Sequence, residues 1–177
     1  MAAGTGAAGT GAAATGVAAT GVRVVGGFAL VLDRLFHADS HMWVALTGPV
    51  AAAGPGDRAR IGLDALGVET SGTLAQLSLP VAGAAVTGGR SFGQLEAAKF
   101  VGPLVSPVSG TVLAVNEAAA ADPGLTERDP YGAGWLIEIA LSDPAAELHG
   151  LLADPAEITR WFAAKVEDYR SRGVIAQ

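Results

Sequence analysis

TLAQLSLPVAGAAVTGGRSFGQLEAAKFVGPLVSPVSGTVLAV, Thr73–Val115, is the stretch that decides the fold. Its apolar segments are short: Leu74 to Leu79, Ala84 to Thr87, Ser91 to Ala98, Val101 to Val105 and Thr111 to Val115. Pro80-Val81-Ala82-Gly83, Gly88-Gly89 and Ser106-Pro107-Val108-Ser109-Gly110 punctuate them. Strand-like runs separated this often by turn residues predict a compact all-β unit with tight hairpins.

Upstream, His41-Met42-Trp43-Val44-Ala45-Leu46 reads as a strand leading into an Ala/Gly/Pro-rich loop, with Arg58 to Leu63 as its pairing strand. Asp64 is placed to cap a short helix through Val68. Downstream, Trp135 to Leu141 alternates as one further strand, and Asp143-Pro144 opens a short helix that His149-Gly150 closes. Asp154-Pro155-Ala156-Glu157 joins an N-cap acid, a proline at the first helical position and a glutamate at the third. Ile158, Trp161, Phe162, Val166 and Tyr169 then recur at spacings of three and four, the stripe of an amphipathic helix running to Gly173. Residues 1–27 are nearly all Ala, Gly, Thr and Val and are expected to be a flexible tail. The expected organisation is thus a tail at 1–27, a β domain at 28–153, and a C-terminal helix and tail at 154–177.

Half of the 177 residues are hydrophobic but only 6% are aromatic, which suits sheets packed through small side chains. The net charge of −6 offers no electrostatic footprint for nucleic acid or an anionic membrane. No cysteine is present, so sulfur chemistry has to arrive on a cofactor. No run has the length of a transmembrane helix, and no Lys or Arg precedes Arg23 as a secretory signal requires; the expected location is cytoplasmic.

The chain has two lysines, Lys99 and Lys165. Lys99 falls between two strand-like segments, where a hairpin tip would project its amine on a four-carbon stem, as acylation by a modifying enzyme requires. Gly83 and Gly110 bracket it, sixteen residues before and eleven after, and both are expected in tight turns with positive φ. Two turns framing a displayed lysine suggest a folded-over pair of β-sheets.

The stretch from about Phe36 to Leu141 resembles the H protein of the glycine cleavage system and its lipoate-carrying relatives. The resemblance rests on His41-Met42-Trp43-Val44, Ile61-Gly62-Leu63, Leu79-Pro80-Val81-Ala82-Gly83 and Glu96-Ala97-Ala98-Lys99. Ser106-Pro107-Val108-Ser109-Gly110, Val115-Asn116-Glu117 and Asp129-Pro130-Tyr131-Gly132-Ala133-Gly134-Trp135-Leu136 add to it. It implies a mainly β, lipoyl-domain-like barrel-sandwich hybrid of two small packed sheets with short helices. It further implies lipoic acid in amide linkage to Lys99, Glu96 as a recognition residue for lipoylation, and a structural role for Tyr131, Gly134 and Trp135.

By the same resemblance the chain is a non-catalytic carrier that shuttles an aminomethyl group and reducing equivalents. Its partners would be a glycine decarboxylase with pyridoxal phosphate (PLP), a folate-dependent aminomethyltransferase, an FAD-containing dihydrolipoyl dehydrogenase, and a lipoate ligase or lipoyltransferase. Biotin carriers share the fold but usually flank their lysine with methionines, whereas Ala98 and Phe100 stand here. One departure is plain: H proteins tend to show small and acidic residues after the lysine, and Phe100-Val101-Gly102-Pro103-Leu104 is apolar. Two alternatives therefore stay open. One is an H-like lipoate-binding protein serving a heterodisulfide-reductase-like sulfur oxidation pathway or a lipoyl relay; the other is an unmodified binding module of the same fold.

Other chemistries find no support in the residues. His37 and His41 are four apart but precede a strand, so no metal site is expected. The glycines from Gly4 to Gly27 lack the strand-then-helix setting and the Gly-Lys-Ser/Thr of a phosphate loop. Ser106 and Ser109 lack a matching His and acid set, and no catalytic apparatus is found.

Overall fold

A computed structural model of the chain describes residues 21–98 and 100–176. The mainly β reading holds, but the strands form three open sheets rather than two. The first is a hairpin of β1 (Val22–Val25) and β2 (Phe28–Val31). The remaining strands are β3 (Leu35–His37), β4 (Met42–Leu46), β5 (Arg58–Leu63), β6 (Leu74–Ser78), β7 (Ala85–Val86), β8 (Ser91–Ala97), β9 (Phe100–Val105), β10 (Gly110–Val115) and β11 (Ile137–Leu141). Six of them form an antiparallel sheet in the order β3-β4-β5-β11-β10-β7, and three form the sheet β6-β8-β9. Five short or medium helices complete the fold: α1 (Ala65–Ser71), α2 (Glu117–Ala121), α3 (Gly124–Arg128), α4 (Pro144–Glu147) and α5 (Pro155–Ser171).

The two larger sheets share one apolar core. Val44, Ile61, Val112 and Ile139 of the six-stranded sheet meet Leu77, Leu95 and Leu104 of the three-stranded sheet in a single buried cluster. A second cluster lies against the outer side of β4 and α1, where Ile158, Phe162 and Val166 of α5 pack with Leu30, Phe36, Trp43 and Leu66. The stripe expected on the C-terminal helix is the face it buries, and Asp154 caps it by accepting from the Glu157 N–H at 2.9 Å.

Three expectations change. Val22–Val25 lies inside the segment read as a flexible tail, yet it pairs residue by residue with β2, and Gly26 and Gly27 turn the hairpin with φ of 56° and 88°. The rest of the tail, residues 1–20, lies outside the described residues. The strand expected from Trp135 starts at Ile137, because Trp135 is held in a loop by the Asn116 amide, which donates to the Ala133 and Trp135 carbonyls, each at 2.7 Å.

Gly110 is the third correction. It is not a positive-φ turn residue but the first residue of β10, where a Cβ would run into the Ala140 carbonyl of the neighbouring strand. Gly83 does behave as expected, with φ of 87° and its N–H donating to the Val112 carbonyl at 2.8 Å. Among the described residues no helix is long and apolar enough to cross a membrane.

Candidate functional site: a β-hairpin and the cleft beside it

β8 and β9 pair in a register that sets Glu96 opposite Val101 and Ala97 opposite Phe100. Only positions 98 and 99 lie between the paired strands. Lys99, the candidate attachment residue, lies outside the described residues. The base of the hairpin is fixed on the β6 side. Ala98 N–H donates to the Thr73 carbonyl at 3.1 Å, and β6 pairs with β8 through Leu74 and Ala97. Ala98 and Glu96 are exposed, and Leu95 and Ala97 alternate inward to the core, as the two-residue period of a strand demands.

The apolar stretch after position 99 has a structural explanation. β9 is an edge strand, so Pro103, which has no N–H to donate, sits where one side of the ladder needs no partner. Gly102 is buried beneath the Phe100 ring, and any Cβ there would collide with it. Phe100 and Val101 remain 50% and 56% exposed, so the surface beside the turn is apolar and open.

A cleft of about 480 Å³ begins at this hairpin. Phe100, Leu95 and Leu104 give it one apolar wall, with Met42 and Leu63 from the six-stranded sheet. The rest of its lining is mostly polar and includes His41 and Tyr169. His41 holds a left-handed φ of 55° in the β3–β4 turn, which aims its ring inward. His41 Nδ1 lies 3.0 Å from Asp64 Oδ2 and its Nε2 lies 2.8 Å from the Tyr169 hydroxyl. Asp64 is fully buried, and its other oxygen caps α1 by accepting from the Gly67 N–H at 2.7 Å. Burial, with Asp64 and Asp168 nearby, raises the Tyr169 hydroxyl above the usual phenol range, while Arg172 acts the other way.

The Asp129–Trp135 segment is scaffold. Trp43 Nε1 donates to the Leu63 and Pro130 carbonyls at 3.0 and 3.1 Å, and the Tyr131 hydroxyl accepts from Ala65 N–H at 3.3 Å. Burial first, then Asp64, pushes the Tyr131 hydroxyl upward, so it stays a neutral structural group. Gly134 is needed because its α-carbon faces backbone of Thr126 and Leu125 too closely for a side chain. His37 and His41 stand at opposite ends of the β3–β4 turn, with His37 Nδ1 2.8 Å from Ser40 Oγ, and among the described residues no cluster of candidate metal ligands exists.

The sequence model described as Glycine cleavage H-protein matches residues 36–163. The chain belongs to this family. Among similar H proteins, the glycine cleavage system H protein of Gloeobacter violaceus is 40% identical over 116 residues, covering 66% of this chain and 84% of that one. That of Gloeothece citriformis is 42% identical over 120 residues, covering 68% and 86%. The crystal structure of a glycine cleavage system H protein from Mycobacterium marinum matches with a TM-score of 0.58 at 35% identity, covering 68% of this chain and 97% of that one. The H-protein match takes in β3 to the first half of α5. It leaves out the β1–β2 hairpin and everything after residue 163, including Tyr169.

Linear reading missed the Asp64–His41–Tyr169 chain. Asp64 was legible only as a helix cap and His41 only as a possible ligand. Nothing in the spacing joins His41 to a tyrosine 128 residues away.

Proposed function

We propose that this chain is a lipoyl carrier of the glycine cleavage type, with lipoate in amide linkage to Lys99 and Glu96 as the recognition residue for the lipoylating enzyme. The observation that carries the reading is the family match across residues 36–163, which spans the whole β8–β9 hairpin. The local residues suit the group. The turn is two residues long, Ala98 and Phe100 on either side of Lys99 are exposed, and the base is pinned by β6. A modifying enzyme can therefore reach the turn without unfolding the sheet.

When attached, the lipoyl group supplies a dithiol–disulfide couple and a sulfur that can carry an aminomethyl unit. The chain itself is non-enzymatic in this reading: its residues display, shelter and dock. A lipoyl group on Lys99 would have the Phe100, Leu95 and Leu104 lining of the adjoining cleft as apolar neighbours. Tethering raises the effective concentration of the arm at each docked enzyme, so weak complexes suffice. The partners are a PLP-dependent glycine decarboxylase, a folate-dependent aminomethyltransferase, an FAD-containing dihydrolipoyl dehydrogenase, and a lipoate ligase or lipoyltransferase. The exposed Phe100, Val101 and Pro103 give these enzymes a hydrophobic docking edge in place of an acidic one.

Intact-mass measurement of protein made under lipoate-replete conditions tests the reading. One added lipoyl group is expected in the wild type and none in Lys99→Ala. An unmodified wild type, or modification that persists in the variant, overturns it. With purified decarboxylase and glycine, the modified protein should gain an aminomethyl unit; no charging would overturn the glycine-cleavage assignment while leaving the lipoyl site standing.

A further inference from the structure

Residues beyond the family match line part of the cleft. Tyr169, Arg172 and Val174 all line it, and three contacts fasten their segment to the fold. Val166 packs so tightly on the β1–β2 turn that a Cβ on Gly26 would stand 2.5 Å from its Cγ1. Arg170 Nη2 donates to the Gly26 carbonyl at 2.8 Å, and Ile175 is buried in the second core cluster. The β1–β2 hairpin and the end of α5, which both lie outside the family match, therefore support each other.

For a neutral His41 beside an ionised Asp64, the protons along this line of hydrogen bonds follow from donor and acceptor capacity. A carboxylate only accepts, so the proton between Asp64 and His41 sits on Nδ1. In the neutral imidazole Nε2 then accepts, and the Tyr169 hydroxyl donates to it. The phenol oxygen is left with lone pairs at the cleft surface, backed by a buried carboxylate two links behind. That arrangement favours a hydrogen-bond donor and offers nothing to a group that can only accept.

We propose that Tyr169 is a positioning residue for the reduced lipoyl arm, its phenol oxygen accepting a hydrogen bond from a dihydrolipoyl S–H while His41 and Asp64 hold the phenol in place. The inference rests on the carrier reading above. It makes docking depend on redox state, because the oxidised dithiolane has no S–H to donate, whereas two-electron, two-proton reduction of the disulfide creates two.

The test uses full-length wild type and Tyr169→Phe, each lipoylated and unmodified, melted with and without a phosphine reductant. A ligand that binds only the folded state raises Tm, and a tethered arm does the same. Reduction is expected to raise the Tm of lipoylated wild type by a few degrees and to leave the unmodified protein unchanged. Tyr169→Phe should remove at least half of that increment, and its reduced thiols should react with iodoacetamide at least threefold faster. A merely structural tyrosine would lower all forms alike and leave the increment intact. An unchanged increment with unchanged alkylation in the variant overturns the positioning role. Intact mass separates the two readings: if the wild type bears no lipoyl group the carrier reading falls and takes this one with it, whereas a lipoylated protein without an increment sinks only the role of Tyr169.

Discussion

Asp64→Ala removes two bonds at once, and their sum can be worked from the site. One carboxylate oxygen caps α1 through the Gly67 N–H, a contribution of about 1 kcal/mol. The other accepts from His41, a bond to a charged acceptor of about 1.5–3 kcal/mol. Both donors are buried, so leaving them without an acceptor is costly, and the expected loss is about 3 kcal/mol. That corresponds to a fall in Tm of about 6–12 °C for a chain of this size. Asp64→Asn keeps a cap oxygen and lets His41 shift its proton to Nε2, with the asparagine amide donating to Nδ1. It should lose only the charge-assisted part, about 1 kcal/mol. Urea denaturation of the two variants beside the wild type reads both values. A loss below 1 kcal/mol in Asp64→Ala, or equal losses in the two variants, would refute the assignment of Asp64 as cap and histidine acceptor together.

Gly62→Ala places a Cβ against the Trp43 ring, which donates to the Leu63 and Pro130 carbonyls and is not free to retreat; a destabilisation of about 1–3 kcal/mol is expected by denaturant titration, with a blue or red shift of tryptophan emission. Gly83 and Gly110 separate by reason: Gly83→Asn should cost less than Gly83→Val because asparagine tolerates a left-handed φ, whereas Gly110→Asn and Gly110→Val should both be severe because the Ala140 carbonyl blocks any side chain. Equal tolerance at the two positions in a thermal-shift series would contradict this. Glu96→Ala is expected to slow lipoylation in a purified ligase assay while leaving Tm within experimental scatter, since its side chain is exposed; unaltered kinetics would remove its proposed role.

The elements that local chemistry specifies were the readable ones. Asp64, Asp143 and Asp154 each precede a helix and each accept from a backbone N–H three residues on. The pairing of the His41–Leu46 segment with Arg58–Leu63 follows from alternation and the intervening loop. β1 was not readable although Val22-Arg23-Val24-Val25 is richer in β-branched residues than the Ala/Gly/Thr run before it, because so short a strand forms only when paired, here with β2 and against α5. Gly110 was misread since a glycine needed for close approach in a strand looks, in one dimension, like a glycine needed for a turn.

By itself the sequence determined the strand-and-turn rhythm of Thr73–Val115, the capped helices, the candidate attachment at Lys99 and the family to be expected, all of which rest on residues close together in the chain. Only the tertiary structure decided that the strands divide into three open sheets, that Gly110 faces a carbonyl, and that His41, Asp64 and Tyr169 share one chain of hydrogen bonds beside the hairpin. The physical reason is that hydrogen bonds and steric exclusion act over a few ångströms of space, and residues 41, 64 and 169 come within that range only once the sheets and α5 have packed.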